Sequence, residues 1–128
     1  MSPYTNYVCE VIYHLVLATK DRQACLSLAM QQRLEEIVAE FCLKLDTELI
    51  TYTADEYYIG MTIKAGTTFT ASKFINSLKT ITSRLLRKEF SQHMDIYYSG
   101  TGLWEKGYLF VTKSVENEQS LIKNYIHN

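Results

Sequence analysis

The sequence is poor in proline, glycine and cysteine, and it contains no long apolar run. One proline and five glycines among 128 residues leave no tract with the composition of a linker or a fibrous protein. No apolar segment approaches the roughly 20 residues that span a bilayer, which argues against a membrane protein. The N-terminal residues lack the basic and apolar segments of a signal peptide. We therefore expect one cytoplasmic domain spanning residues 1–128.

The cysteines are three in number and widely spaced, at positions Cys9, Cys25 and Cys42. An odd count without a C-x-x-C pair indicates buried or free thiols in a reducing compartment rather than a disulfide framework or a zinc site. The three histidines form no closely spaced pair either, which excludes a metal site built from neighbouring histidines. The hydrophobic fraction of 47% and the charged fraction of 21% are typical of a globular chain and exclude a disordered one.

Hydrophobic periodicity predicts strands and helices in the order β-α-β-β-α-β, followed by one more helix. Strands are predicted over residues 7–19, 48–53, 57–64, 96–99 and 107–112, the last two around a turn at residues 100–102. Helices are predicted from Ser27, which can cap the first one, to about Lys44, from Thr70 or Ser72 to near Phe90, and over residues 116–128. This order is typical of an α+β fold of the ferredoxin-like split βαβ type, with helices on one face of an antiparallel sheet and an additional C-terminal helix.

The net charge of −1 hides an uneven distribution along the chain. The predicted second helix carries five basic residues and one acidic residue, whereas the rest of the chain carries eight basic and thirteen acidic ones. Lysine and arginine are interleaved there with small hydroxyl residues on the face opposite the apolar stripe, a combination that suits contact with a phosphate backbone. When the helix is taken alone, an ordinary solvated face is the simpler explanation.

Ten tyrosines are the unusual feature of the composition. Most are expected to pack in the fold, although exposed ones such as Tyr97 and Tyr98 could stack on bases. Tyr125, near the end of the last predicted helix, is either a nucleophile or a packing aromatic. The adjacent carboxylates of Asp55 and Glu56 lie at a predicted turn, where they either ligate Mg²⁺ or Mn²⁺ or are simply solvated.

Four segments, in matching order, carry a family resemblance over almost the whole chain. They are YHLVLATKDRQACL at 13–26, TSRLLRKEF at 82–90, GLWEKGYLFVT at 102–112 and LIKNYIHN at 121–128. Together they resemble the single-tyrosine transposases of small bacterial insertion sequences, the insertion-sequence 200/605 type of the HUH nuclease superfamily. The resemblance implies homodimers that recognise DNA hairpins and cut and rejoin single-stranded DNA through a phosphotyrosine intermediate, with a divalent metal. It places Tyr125 at the position of the nucleophile.

Departures from the family pattern fall on the groups that would activate this tyrosine. The resemblance places Glu56 and Tyr58 at the positions of the family's two metal-binding histidines, with Asp55 directly before them. A glutamate can still bind Mg²⁺, but a phenol near its usual pKa of about 10 is a poor ligand. The family's further ligand, a glutamine four residues after the tyrosine, would fall beyond the sequence. A glycine pair that lets the tyrosine helix swing is replaced by Val115-Glu116.

These losses predict a transposase-like domain that is catalytically inactive, in which Tyr125 is vestigial and no metal cofactor is bound. We expect it to bind structured single-stranded DNA, or RNA, as a homodimer. The residues expected to contact nucleic acid are Lys20, Arg22, Lys73, Lys79, Arg84, Arg87 and Lys88. Two alternatives stay open: an active transposase that uses Asp55 and Glu56 with Mg²⁺ or Mn²⁺, and a non-catalytic protein-interaction module.

Overall fold

Four antiparallel strands and four helices make up the part of the chain that the computed structural model describes, residues 10–112 and 118–127. The strands are β1 Val11–Ala18, β2 Glu48–Ala54, β3 Tyr58–Ala65 and β4 Leu109–Thr112. The helices are α1 Leu28–Lys44, α2 Ala71–Glu89, α3 Ser91–Tyr97 and α4 Glu118–His127, and a 3-10 turn covers Lys20–Arg22. The strands pair in the order β2-β3-β1-β4, which confirms the predicted α+β, ferredoxin-like fold.

The core lies between one face of the sheet and the helices α1 and α2. Alternate residues of β1 and β3, such as Leu15, Leu17 and Ile63, point into it because side chains alternate between the two faces of a strand. Full burial of each such side chain stabilises the fold by about 2 kcal/mol. α1 begins after Ser27, whose hydroxyl caps the helix by accepting a 3.3 Å hydrogen bond from the Met30 N–H, as the sequence predicts.

The other face of the sheet is met by α4 near the start of β3. Tyr58 and Gly60 point to this face, since they alternate with the core residues of β3. α4 lines a groove together with Tyr58, and its Ile122 is buried outside the main core. The predicted additional C-terminal helix is therefore present, and it lies beside the turn between β2 and β3.

The strand predicted over residues 96–99 is wrong, because this segment contains the end of α3. Its residues favour strands by propensity, but the neighbouring Phe90, Met94 and Tyr98 are spaced four apart. The Met94 N–H donates to the Phe90 carbonyl and the Tyr98 N–H to the Met94 carbonyl, both at 2.9 Å. Met94 and Tyr98 are buried, whereas Ile96 is 75% exposed. Burial at helical spacing thus outweighs the local preference for a strand.

The other element boundaries agree with the predicted ones to within a few residues over the described ranges. α2 begins after Thr70, one of the two predicted starting points. Residues 7–9 of the first predicted strand and residues 116–117 of the last predicted helix lie outside the described residues. Within residues 10–112 and 118–127, no helix has the length and apolar character needed to cross a membrane.

Candidate nucleic-acid interface and tyrosine site

α2 turns a stripe of basic and small polar side chains away from the core. Its buried side chains, among them Phe74, Leu78 and Leu86, recur every three or four residues on the opposite side. We call the outward stripe the basic face. It consists of Lys73, Asn76, Ser77, Thr80, Ser83, Arg84, Arg87 and Lys88, most of them exposed. At 1.5 Å per residue it runs about 22 Å along the helix, which is long enough to meet several phosphates.

A groove of about 520 Å³ opens between α2 and the segment before β4, and we call it the α2 groove. It is lined by Lys79, Thr80, Ser83, Arg84 and Arg87 from α2 and by residues 101–104 on the other side. Three of the predicted nucleic-acid contacts therefore meet at one place. Lys73 lies apart from them, at a second groove of about 470 Å³ near the start of α2. Lys88 is exposed at the far end of the helix.

Lys79 ties α2 to the segment before β4. Its Nζ donates hydrogen bonds to the carbonyls of Glu105, at 2.7 Å, and Lys106, at 3.2 Å. Burial lowers the pKa of this ammonium, and the nearby Glu105 carboxylate opposes part of that effect. The buried Trp104 reinforces the same junction, since its indole N–H donates to the Thr82 hydroxyl at 2.8 Å. Lys79 is thus a structural cation as well as a lining residue of the α2 groove.

Arg87 has an incomplete set of hydrogen-bond partners. Its Nη1 lies 3.4 Å from Oδ1 of Asp95, whose side chain is 73% exposed. Its Nε and Nη2 atoms are buried and have no hydrogen-bond partner. Such orphaned donors are uncommon in folded proteins and call for an explanation. The neighbouring Arg84 is exposed on the same face.

The turn between β1 and α1 holds two consecutive residues in the left-handed backbone region. Asp21 has φ of 56° and Arg22 has φ of 52°, a conformation that side chains other than glycine rarely adopt. The turn is held from both sides, because the Tyr98 hydroxyl donates to the Lys20 carbonyl and the Thr19 hydroxyl to the Gln23 carbonyl, each at 2.7 Å. Strain of this kind often marks a functional segment.

The strained turn directs Arg22 onto Tyr125 rather than onto the basic face. The Cζ atom of Arg22 lies 5.1 Å from the centre of the Tyr125 ring, and its Nη2 donates to the Tyr125 carbonyl at 3.4 Å. Its Nη1 lies 3.8 Å from the Glu105 carboxylate, which also accepts from the Asp21 N–H. Burial raises the pKa of the Tyr125 phenol, and the nearby Arg22 opposes part of this shift.

The turn between β2 and β3 and the start of β3 carry Glu56 and Tyr58, which the family resemblance places at the positions of the metal-binding histidines. Oδ1 of Asp55 accepts hydrogen bonds from the backbone N–H groups of Tyr57, at 2.7 Å, and Tyr58, at 3.1 Å. This carboxylate therefore stabilises the turn in the manner of an Asx-turn. The Glu56 side chain is exposed, and its backbone carbonyl accepts from the Leu26 N–H at 3.1 Å.

These side chains do not fit a divalent metal. Mg²⁺ and Mn²⁺ need several oxygen or nitrogen ligands that converge on one point. One oxygen of Asp55 is already engaged by the backbone, and Tyr58 offers only a phenol. No group of three or more histidine, cysteine, aspartate or glutamate side chains in the described part of the chain is placed to hold a metal. We therefore assign no chemical step to a metal here.

The last turns of α4 and the β2–β3 turn enclose a groove of about 380 Å³, which we call the α4 groove. It is lined by Asp55, Tyr57 and Tyr58 on one side and by Ile122, Lys123, Ile126 and His127 on the other. Tyr125 on α4 and the segment that carries Glu56 and Tyr58 thus lie at one end of the sheet. Val115-Glu116, at the position of the family's glycine pair, lies outside the described residues.

Two tyrosines predicted to be exposed are not. Tyr98 is buried, with its hydroxyl 3.6 Å from the Cys25 Sγ, and burial raises the pKa of this phenol. Tyr97 is half-buried against the core and the ring of His93.

The structural role of Glu105 could not be predicted, because a single glutamate carries no signal in a sequence. Trp104 lies in one of the four segments that carry the family resemblance, and this is the signal that could have indicated its place beside the site.

The chain is similar to transposases in sequence. A model of the family described as Transposase IS200 like matches residues 7–128. The ISDra2 transposase TnpA of Deinococcus radiodurans is 25% identical over 123 residues, which cover 96% of this chain and 86% of that protein.

Solved structures are similar in fold. A crystal structure of a transposase from Deinococcus radiodurans R1 aligns with a TM-score of 0.87 at 25% identity, and the alignment covers 100% of this chain and 97% of the other. A REP-associated tyrosine transposase bound to a REP hairpin aligns with a TM-score of 0.58 at 10% identity, over 97% of this chain and 68% of the other. The second likeness concerns the fold alone.

Proposed function

The chain belongs to the IS200-like transposase family, and we propose that it binds structured single-stranded DNA as a homodimer without cutting it. The observation that carries this proposal is a contrast within the chain. The basic face of α2 is exposed and rich in phosphate-binding side chains, whereas the positions of the family's metal ligands hold Glu56 and Tyr58. We infer that recognition of nucleic acid is retained and that metal-dependent strand transfer is lost.

Charge and spacing of the basic face support the binding half of the proposal. Arg84 and Lys88 are exposed cations four residues apart, so they lie one turn apart on the same side of α2. Ser83, next to Arg84, supplies a hydroxyl donor, whereas the Thr80 hydroxyl donates to the Asn76 carbonyl at 2.9 Å. Small side chains at these positions allow a backbone to come close. The similar transposase bound to a REP hairpin makes a DNA hairpin the first ligand to test, with an RNA hairpin of the same sequence as the second.

The chemistry of the turn between β2 and β3 supports the inactive half of the proposal. Oδ1 of Asp55 serves the backbone of the turn, and a phenol at Tyr58 is a poor ligand for a hard cation. Tyr125 is held by Arg22 through its ring and its backbone carbonyl. A packing role therefore accounts for the retention of this tyrosine.

An active transposase is the second candidate, and the α4 groove is the observation that favours it. α4 lies against Asp55 and Tyr58, so a nucleophile on this helix and carboxylates on the turn are at the same end of the sheet. In this alternative, Asp55 and Glu56 take the place of the histidines, and Arg22 helps to stabilise a phenolate at Tyr125.

The homodimer and the cytoplasmic location are further parts of the proposal. β2 and β4 form the edges of the described sheet, and an edge strand offers unpaired N–H and C=O groups to a second copy. Sedimentation of the full chain tests the dimer directly, and a monomer at all concentrations would contradict it.

Binding is tested with labelled DNA and RNA hairpins at low salt by fluorescence anisotropy. We expect the double variant Arg84→Glu/Arg87→Glu to weaken binding about tenfold or more and to flatten the salt dependence. The matched control, Lys44→Glu/Lys64→Glu, makes the same charge change away from the basic face and should bind like the wild type. Equal losses in the two double variants would contradict the assignment of the basic face.

Cleavage is tested with hairpin-flanked single strands in Mg²⁺ and in Mn²⁺. We expect no covalent DNA–protein product with the wild type, and therefore no difference between it and Tyr125→Phe. An adduct that forms with the wild type and is lost in Tyr125→Phe would establish the second candidate. Binding without an adduct supports our proposal, and a stable dimer that ignores nucleic acid would point to a protein-interaction module.

A further inference from the structure

The guanidinium of Arg87 presents an unused pair of donors. Of its three nitrogen atoms, only Nη1 has a partner, Asp95, at the long distance of 3.4 Å. Nε and Nη2 are buried and unpaired. Leaving buried donors without partners costs free energy, so this arrangement calls for a compensating role.

In Arg33, the same edge of the guanidinium, formed by Nε and Nη2, is occupied by a carboxylate of the chain. Its Nε donates to one oxygen of Glu89 at 2.8 Å, and its Nη2 donates to the other at 3.0 Å. The two donors form a planar fork that matches two oxygens of a single acid. In Arg87 the corresponding fork is intact and empty. The chemistry that would fill it is an oxyanion with two oxygens close together.

The surroundings of Arg87 favour a phosphate as this oxyanion. The α2 groove also presents Arg84, Ser83 and Thr101, and none of its lining residues is acidic. The Asp95 carboxylate of this ion pair is exposed, and exposed ion pairs contribute little to stability. If Arg87 leaves Asp95 and binds a phosphate through Nε and Nη2, it therefore loses little and gains partners for two unpaired donors.

We propose that Arg87 forms a phosphate subsite in the α2 groove, in which its Nε and Nη2 bind two oxygens of one phosphate group after the side chain leaves Asp95. The ligand is a phosphodiester of the nucleic-acid backbone or a terminal phosphate, which share this chemistry. The proposal rests on the proposed function for the source of the phosphate and goes beyond it in naming the atoms and the competing carboxylate.

The fork is tested with Arg87→Lys, which keeps the charge and removes the paired donors. We expect hairpin binding to weaken about tenfold, while the slope of affinity against salt stays that of the wild type. The matched variant Arg84→Lys should weaken binding less, about twofold, because an exposed cation acts mainly through its charge. Equal effects of the two variants would overturn the subsite. Circular dichroism of both variants shows whether the fold is kept.

The competition is tested with Asp95→Asn, which releases Arg87. We expect this variant to bind the hairpin more tightly than the wild type. Glu36→Gln removes the same charge from an exposed carboxylate that contacts Arg33 instead, and it should bind as the wild type does. If hairpin affinity rose equally in both variants, the change in net charge would explain the effect, and the role of Asp95 would be overturned.

A titration with inorganic phosphate separates this proposal from the proposed function. The side-chain Nε–H signal of Arg87, assigned by its disappearance in Arg87→Lys, should shift as phosphate is added, while the Arg33 signal stays in place. A shift without hairpin binding would retain the subsite and contradict the proposed function. Hairpin binding without a shift would contradict the subsite and retain the proposed function. A hairpin with a terminal phosphate, compared with one that lacks it, distinguishes the two sources of the phosphate.

Discussion

The basic face of α2 and the end of α4 both carry cations beside polar partners, yet they use them differently. On the basic face, Arg84 and Lys88 are exposed and free to meet a ligand. At the end of α4, Arg22 is already engaged by Tyr125 and Glu105. A cation that is held by its own chain serves the fold, whereas an exposed one is available for binding. The two regions therefore differ in the positive charge that remains available for a ligand.

The segment before β4 joins the two regions. The Glu105 carbonyl accepts from Lys79 of α2, and its carboxylate faces Arg22 at the tyrosine site. Trp104, next to it, is anchored to Thr82 of α2 and pairs with Thr19 at the end of β1. This segment fixes the distance between the two regions, so a change in it should affect both.

The largest effect is expected from Trp104→Ala, which removes the shared anchor. Loss of a buried tryptophan should lower the free energy of unfolding by about 3–5 kcal/mol. Unfolding in urea measures it, and Trp104→Phe, which keeps most of the packing and loses the bond to Thr82, should cost less. Tyr108→Ala, at a side chain 39% exposed, is the control and should change stability little. A small effect of Trp104→Ala would contradict the role of Trp104 as an anchor.

The second prediction compares the loss of hairpin binding when one cation of each region is replaced. Arg84→Glu should weaken hairpin binding about tenfold, because it removes a phosphate contact and adds repulsion. Lys123→Glu, an equal charge change at an exposed position of α4, should weaken binding about twofold or less. Anisotropy titrations at two salt concentrations measure both. Similar losses would mean that nucleic acid also covers the α4 groove.

A smaller effect is expected from Arg22→Gln, which removes the contact with the Tyr125 ring and carbonyl. We expect the docking of α4 to weaken by about 1 kcal/mol, seen as faster hydrogen exchange of its amides. Lys20→Gln, at an exposed neighbour in the same turn, is the control and should leave the exchange unchanged. If Arg22→Gln instead weakened hairpin binding and left α4 protected, Arg22 would belong to the nucleic-acid interface, as the sequence suggests.

The smallest effect is a response of the tyrosine site to alkaline pH. Burial raises the pKa of the Tyr125 phenol above its ordinary value of 10.0, so the folded state favours the neutral form. The stability from this group is fully present below pH 10.0 and is lost as the pH rises through the raised pKa. Urea midpoints should therefore fall less steeply with alkaline pH in Tyr125→Phe than in the wild type. Parallel curves would contradict the burial of this phenol.

Local patterns were enough to predict most of the fold. The cap at Ser27, the apolar stripe of α2 and the apolar run of β1 involve residues within a few positions of one another, so these patterns can be read along the chain. The wrong prediction of a strand at residues 96–99 comes from the same reliance on local patterns. Ile96 and its neighbours favour strands, and only the packing of Met94 and Tyr98 in the core shows that the segment is helical.

The candidate site could be predicted only in part. The basic face follows from helical spacing, and the position of Tyr125 follows from the family resemblance. Neither indicates that Asp55 uses its carboxylate to hold its own turn, or that Arg87 lacks partners for two of its donors. Hydrogen-bond satisfaction depends on the final positions of atoms, which no residue pattern contains.

The sequence by itself therefore determined most of the order of elements, the amphipathic character of α2 and the family to which the chain belongs. Tertiary structure decided which basic residues are free. Arg22 and Glu105 are far apart in the chain, and Lys79 reaches the same glutamate from another helix. They meet because the sheet places β1 beside β4 and α2 packs across it. Such contacts depend on strand register and helix packing, and this dependence is why the tyrosine site was harder to predict than the basic face.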